Sequence, residues 1–433
     1  MKKLWKFYVN TSFMAKMTTG FVLGIVVGVL LGPKSSVFYP LGKLFLNLLQ
    51  MIVIPLVILP LIVAVNHSNP KELGRIGIKI FPFYFISTAV AVVLGIILAK
   101  WTHPGVGLTL PNSANITAPD SPSFINTLLN MVPTNIFQAL SAGDLLAIVF
   151  ITIVGGLSIL FLRHSQDPKQ RQSGDLLFNV LQACNDVVTK ILAGVLLYAP
   201  IGVFGITANT FGTQGIDMVI VLSKFIGTSY LGVILLIFLI FPIFLKLFGV
   251  KVIQFYKDIK EAMLTAFVTS SSIGTLPVSL RCAEKNGISD KVSRLTLPLG
   301  LAFNLNGTAL RFGVAVIFAS EIVGISLSVP ELATIVIIST LAAVGTAGVP
   351  GAGLIGMSIV FSQANLPIEI VALTAGVNVI LDMIFTCGNV VGDLVGAKIV
   401  DQSERRAGAI DIDDDAIAHI DNEASPNHLP RSS

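Results

Sequence analysis

Two aspartates, Asp382 and Asp393, sit in a stretch of chain that is otherwise apolar. With Asn378, Thr386 and Asn389 they follow one another at offsets of 4, 4, 3 and 4 residues. That spacing puts all five on one helical face. Ionisable groups inside an apolar span face a cavity and hold cations or solutes far more often than they merely pack. A second polar interruption runs from Asn304 through Asn306 and Gly307 to Thr308. Its Asn and Gly residues predict local unwinding, which frees carbonyls to bind a hard cation. The competing reading is an interhelical hydrogen bond beside a close-packed glycine. Arg311 shares the face of Asn304 and Thr308, being 7 and 3 residues beyond them. A buried arginine needs a partner. Three remain open: a substrate carboxylate, Glu321, or the membrane interface reached by snorkelling. Phe385 borders the aspartate stripe, either as a pocket wall or as a ring turned to lipid or core. Tyr84, Ser87 and Thr88 make an oxygen-rich patch on an earlier span, a weaker signal because hydroxyls often bond their own helix carbonyls.

The elements that must position these groups are themselves broken. Residues 269–278 place Ser270, Ser271, Ser272, Gly274 and Pro277 inside apolar sequence, and 345–353 repeat the feature with Val349, Pro350 and Gly351. Lipid cannot satisfy freed backbone groups, so such breaks survive only where protein or a watery cavity covers them. Paired interruptions at matching places are the strongest sequence pointer to a transporter site. Pro277 precedes Asn304 by 27 residues, and Pro350 precedes Asn378 by 28. The segments run hairpin then helix twice, entering from opposite sides, as an inverted repeat does.

Composition places the chain in a membrane. It has 433 residues, 54% hydrophobic and 12% charged, against about 25% charged in soluble domains. Apolar spans read at 12–32, 37–66, 77–100, 124–162, 175–208 and 214–247, each near or above the roughly 20 residues a crossing needs. Pro133 and Gly143 are expected to break the fourth. Lys and Arg concentrate in 67–76, 163–172 and 246–260, whereas 101–123 and 209–216 carry none. That alternation predicts a cytoplasmic N-terminus and six crossings by residue 247. Hairpin 253–284, span 290–324, hairpin 330–362 and span 365–400 follow. The fold class is thus an all-α polytopic membrane protein with eight transmembrane helices and two re-entrant hairpins. The acidic segment 411–422 reads as a solvated tail. The net charge of +4 calls for no nucleic-acid partner. Three cysteines without metal-ligand spacing argue against a disulfide framework or zinc site. All five histidines fall in loops or the tail, so no proton relay of histidines is expected. An enzyme is disfavoured because the serine-rich tip lacks an intramembrane histidine or lysine base. A channel is disfavoured because neither polar segment makes a continuous charged ring.

In this order and spacing, the Ser270–Pro277 tip, Asn304–Thr308, Val349–Gly353 and the Asp382–Asp393 stripe resemble the dicarboxylate/amino acid:cation symporter family, the glutamate-transporter fold, over about residues 5–402. The resemblance implies a homotrimer in the plasma (inner) membrane of a prokaryote, with both termini cytoplasmic. It implies scaffold helices and peripheral transport-domain helices in 1–252, a transport core in 253–402 that moves like an elevator, and a tail in 403–433. It further implies sodium-coupled symport without a cofactor. Ser271, Ser272, Thr308, Val349, Pro350, Gly351, Asp382, Phe385, Thr386 and Asn389 would surround substrate. Asp382 would take its α-amino group, and Asn389 with Thr308 its α-carboxylate. Tyr84, Ser87, Thr88, Asn304, Asn306, Thr308, Asn389 and Asp393 would serve sodium sites.

Three departures bear on the substrate. Acidic-substrate members carry an arginine where this chain has Phe385, and a supporting aspartate where it has Asn378. Losing both together leaves no stranded charge, which favours a zwitterionic, neutral amino acid. Asn306 stands where the pattern has an aspartate, so a weaker sodium site or fewer coupled ions are expected. Arg311 replaces a frequent tyrosine. As a clamp from the facing helix it keeps the alternative open, an acidic amino acid or C4-dicarboxylate.

Overall fold

The computed structural model describes residues 11, 13–66, 73–108, 129, 132–215, 217–344 and 352–407. In chain order the helices are α1 (Phe13–Leu31), α2 (Tyr39–Asn66), α3 (Ile78–Thr102), α4 (Ile136–Ala142), α5 (Leu145–Arg163), α6 (Pro168–Gln214), α7 (Asp217–Leu235) and α8 (Phe241–Leu247). There follow α9 (Val252–Thr269), α10 (Ser272–Lys285), α11 (Asp290–Phe303), α12 (Asn306–Val323), α13 (Val329–Val344), α14 (Ala352–Gln363), α15 (Glu369–Ala375) and α16 (Asn378–Arg406). No strand occurs among the described residues.

Among the described residues, six helical runs are long and apolar enough to cross a bilayer: Ala15–Leu48, Gly74–Thr102, Pro168–Thr213, Met218–Leu247, Asp290–Val323 and Asn378–Arg406. The two other spans expected from sequence, 37–66 and 124–162, contain the shorter apolar helices Ile54–Asn66 and Ala147–Arg163. The break expected in 124–162 falls at Gly143, which caps α4 in the left-handed region at φ 69° before Asp144 caps α5.

Two packing groups emerge. Both α1 and α2 lie along α6, and α5 joins them. Gly20, Gly24 and Gly28 recur every fourth residue on α1. A Cβ at any of them would strike α6 near Pro200, Thr207 or Ala208. Small residues let membrane helices approach to backbone contact, where van der Waals packing supplies the attraction. The second group centres on α12 and α16, which are buried along nearly their whole length. Helix α3 lies on α12, with Gly95 facing the Leu310 carbonyl and Gly313 the Val92 carbonyl. Helices α9 and α10 pair as a hairpin against α16, and α13 pairs with α14.

The basic loops gather at one end. Arg75 and Lys79 both reach Glu404, at 2.9 and 2.5 Å. Arg405 donates to the Gly287 carbonyl and Arg406 to the Phe248 carbonyl. These contacts hold α16 helical to Arg406, past residue 403, where the tail was expected to begin. Segment 411–422 lies outside the described residues. At the opposite end of α12, Glu321 accepts from the Gly105 N–H and pairs with the His103 ring, each at 2.8 Å. Of the predicted partners for Arg311, Glu321 is therefore engaged elsewhere.

Candidate binding site at two helix breaks

Helix α11 stops at Phe303 and α12 starts at Asn306, with Asn304 and Leu305 at ψ 58° and 62° between them. A helix start leaves its first N–H groups without partners in its own helix. Here the cap comes from another segment. The Asn389 side-chain oxygen accepts from the Gly307 N–H at 2.7 Å and the Thr308 N–H at 3.2 Å, and its amide donates to the Thr308 hydroxyl at 3.2 Å. The crossing is close because neither helix carries bulk there. A Cβ on Gly307 would overlap the Phe385 backbone, and one on Gly388 would come within 3.3 Å of Gly307. The unwinding predicted at Asn304–Thr308 is thus real, and a glycine crossing accompanies it.

On one side of this crossing lies a buried oxygen cluster. The Asn304 amide donates to Asp393 at 2.8 Å, while its oxygen accepts from the Ser87 hydroxyl at 3.1 Å. Asn306 donates to the Ser87 and Thr88 hydroxyls at 3.0 and 3.3 Å, and its own oxygen is buried without a partner. Asp393 is 3% exposed and makes no ion pair among the described residues. Room for its carboxylate comes from Gly300, where a Cβ would overlap it. The Tyr84 hydroxyl donates to the Thr296 carbonyl at 2.8 Å. Sequence reasoning found Tyr84, Ser87, Thr88, Asn304, Asn306 and Asp393. It missed Thr296, Gly300 and Gly392, the last of which leaves space for the Asn306 oxygen.

On the other side, Arg311 of α12 reaches across to α16. Its Nη1 donates to Asn378 at 2.5 Å and to Asp382 at 3.5 Å. Asn378 in turn donates to the second Asp382 oxygen at 2.6 Å. Arg311 is 0% exposed and Asp382 9%. The guanidinium carbon stands 5.7 Å from the Phe385 ring centroid, within cation–π range. Phe385 is buried, which excludes a ring turned to lipid and leaves both a pocket wall and a ring turned to the core. Snorkelling is excluded for Arg311 by the same burial.

At the first hairpin, Ser271 accepts from the Gly274 N–H at 3.1 Å and caps α10, while Ser270 takes a left-handed φ of 51°. Ser272 and Thr386 are buried. Val349, Pro350 and Gly351 lie outside the described residues. Cys184, Cys282 and Cys387 are free thiols, and no group of metal-binding His, Cys, Asp or Glu side chains occurs among the described residues.

Residues 13–403 match the model of the sodium:dicarboxylate symporter family. The chain is 31% identical over 89% of its length to the proton/sodium-glutamate symport protein of Bacillus caldotenax, covering 93% of that protein. It is 29% identical to the proton/glutamate-aspartate symporter of Escherichia coli, over 89% of this chain and 91% of the relative. It is 27% identical to the C4-dicarboxylate transport protein of Bacillus subtilis, over 90% and 93%.

Proposed function

The chain belongs to the sodium:dicarboxylate symporter family and is a secondary transporter, and we propose that it couples sodium entry to uptake of a small amino acid at the α12–α16 crossing. The observation that carries this reading is the α11–α12 helix break set against two buried acidic groups of α16. Asp382 would receive the substrate's α-amino group. Its α-carboxylate would lie at Asn389 and Thr308, beside the positive end of α12. The Asp393 cluster, lacking a cationic side chain, would hold a sodium ion that neutralises it. Ser271, Ser272 and the second hairpin tip would close the two faces of the pocket.

In the same reading the chain makes eight crossings and two re-entrant hairpins, both termini are cytoplasmic, and the membrane is a prokaryotic plasma membrane. The α1–α2–α5–α6 group would be the static, trimerising scaffold. The group around α12 and α16 would slide past it as an elevator, carrying solute and ions together. Coupling needs no cofactor, and no bond of the solute is made or broken. A neutral amino acid fits the loss of charge at Phe385 and Asn378. An acidic amino acid or C4-dicarboxylate is the second reading, favoured by the place of Arg311 against Asp382.

The test is uptake into proteoliposomes of the full chain. An inward sodium gradient should concentrate a labelled amino acid or dicarboxylate above its external level. Equal uptake with and without the gradient, across both solute classes, would refute sodium-coupled transport.

A further inference from the structure

We propose that Tyr256 of α9 is a positioning residue for the ion cluster: by holding one wide turn between α7 and α8, it sets Phe241 against Gly392 and Asn306. The inference rests on the sodium reading and adds to it a residue of another helix. Its first support is a carbonyl and the donor that serves it. Between α7 and α8, Leu236–Ile240 form a π-helical segment, and the Phe241 N–H donates to the Leu236 carbonyl, five residues back. In an α-helix that N–H would serve Ile237, four residues back. The next N–H along is missing, because residue 242 is proline. The Ile237 carbonyl thus loses both its usual donor and the next one, where lipid offers no substitute. Ile237 is buried, and the Tyr256 hydroxyl donates to its carbonyl from α9. The Phe238 and Tyr256 rings lie beside each other, with centroids 5.7 Å apart. Wide turns of this kind, with one residue more than an α-turn, recur at functional sites.

The second support is what the wide turn does to rotation about the helix axis. Val233 and Phe241, on either side of it, both lie against α16. A Val233 methyl is 3.1 Å from a Cβ placed on Gly388, and the Phe241 ring is 3.1 Å from one placed on Gly392. Gly388 and Gly392 share one face of α16, 4 residues apart. Val233 and Phe241 are 8 residues apart, which in a regular α-helix turns them about 80° from each other. With one residue taken up by the wide turn they are placed like a pair 7 apart, about 20° from alignment. The wide turn therefore brings both side chains to the same face of α16. The landing point of Phe241 lies at the cluster. The Cβ position on Gly392 also overlaps the Asn306 side-chain oxygen, so ring, glycine and amide meet there. The Asn306 amide connects to Asp393 through the Ser87 hydroxyl and Asn304. Turning Phe241 away would uncover the buried Asn306 oxygen, which has no partner, and loosen the network that holds Asp393.

Thermal stabilisation of the purified full chain by sodium, without solute and against choline at equal ionic strength, tests this. Tyr256→Phe keeps the ring and removes the donor. It should raise the sodium concentration for half-maximal stabilisation about three- to tenfold. Deleting Leu239, an exposed residue of the wide turn, allows a regular α-helix in which Val233 and the same phenylalanine stand 7 apart. In that background Tyr256→Phe should shift the half-saturating concentration by less than about twofold. If the deletion variant does not fold, Phe241→Leu, alone and with Tyr256→Phe, reads the same link. Each single change should raise the half-saturating concentration, and the pair no further than the larger of the two. A wild-type sodium response in Tyr256→Phe overturns the proposal. So does a Tyr256→Phe defect that persists undiminished in the deletion variant, or adds in full to that of Phe241→Leu, because Tyr256 would then act through its own hairpin. A wild-type chain that sodium does not stabilise would remove the sodium reading itself, and this inference with it.

Discussion

The two aspartates of α16 solve the same problem in opposite ways. They are 11 residues apart on one helix. Asp382 has a guanidinium and an amide within reach and retains some exposure. Asp393 has one amide donor, deeper burial and no basic side chain paired with it among the described residues. A carboxylate whose countercharge is built into the chain can hold position before a ligand arrives. One without it needs a mobile cation to be stable as an anion, because isolated buried charge is costly. In the proposed function this difference would suit Asp382 to a solute that brings its own charges and Asp393 to an ion that brings only one.

The comparison breaks first at the built-in pair. Asp382→Asn strands Arg311 in a buried setting, and removing one partner of a buried pair typically costs about 3–5 kcal/mol. Denaturation of the variant in sodium should show a loss of that order together with lost solute uptake. Retention of wild-type stability would mean that Arg311 is not held by Asp382. A smaller effect is expected from Asn306→Asp. The Asn306 amide donates to Ser87 and Thr88, and in the proposed reading its NH₂ group would stand where a cation could otherwise lie. A carboxylate there would turn both hydroxyl oxygens towards a sodium ion. The sodium concentration for half-maximal uptake should fall about tenfold, equivalent to about 1.4 kcal/mol, and uptake should become more sensitive to membrane potential. Unchanged sodium dependence would show that the amide is no substitute for the ion.

Much of this was legible in the sequence, for a physical reason. Lipid penalises every polar group that lacks a purpose, so the Asn378–Asp393 stripe and the Ser270–Pro277 tip stand out against apolar surroundings. Helical periodicity then assigns the stripe a single face. Contacts between distant segments left no such mark. Asn389 caps α12 from 82 residues away, and Gly300 and Gly392 matter only for what lies opposite them. Arg311 had three candidate partners in sequence. Burial excluded the interface, Glu321 had been taken by His103 and Gly105, and the partners that Arg311 has, Asn378 and Asp382, were none of the three. The count of crossings was less readable from helix length: α2 and the α4–α5 pair contain apolar runs shorter than a full span. The Val349–Gly351 tip lies outside the described residues.

The most direct measurement is sodium-dependent stabilisation of Asp393→Asn compared with the wild type, each without added solute. Removing the Asp393 carboxylate, which makes no ion pair among the described residues, should abolish most of the stabilisation that sodium gives, while potassium has no effect on either protein. If Asp393→Asn responds to sodium as strongly as the wild type, the ion does not bind at this cluster, and the division of labour between the two aspartates is wrong.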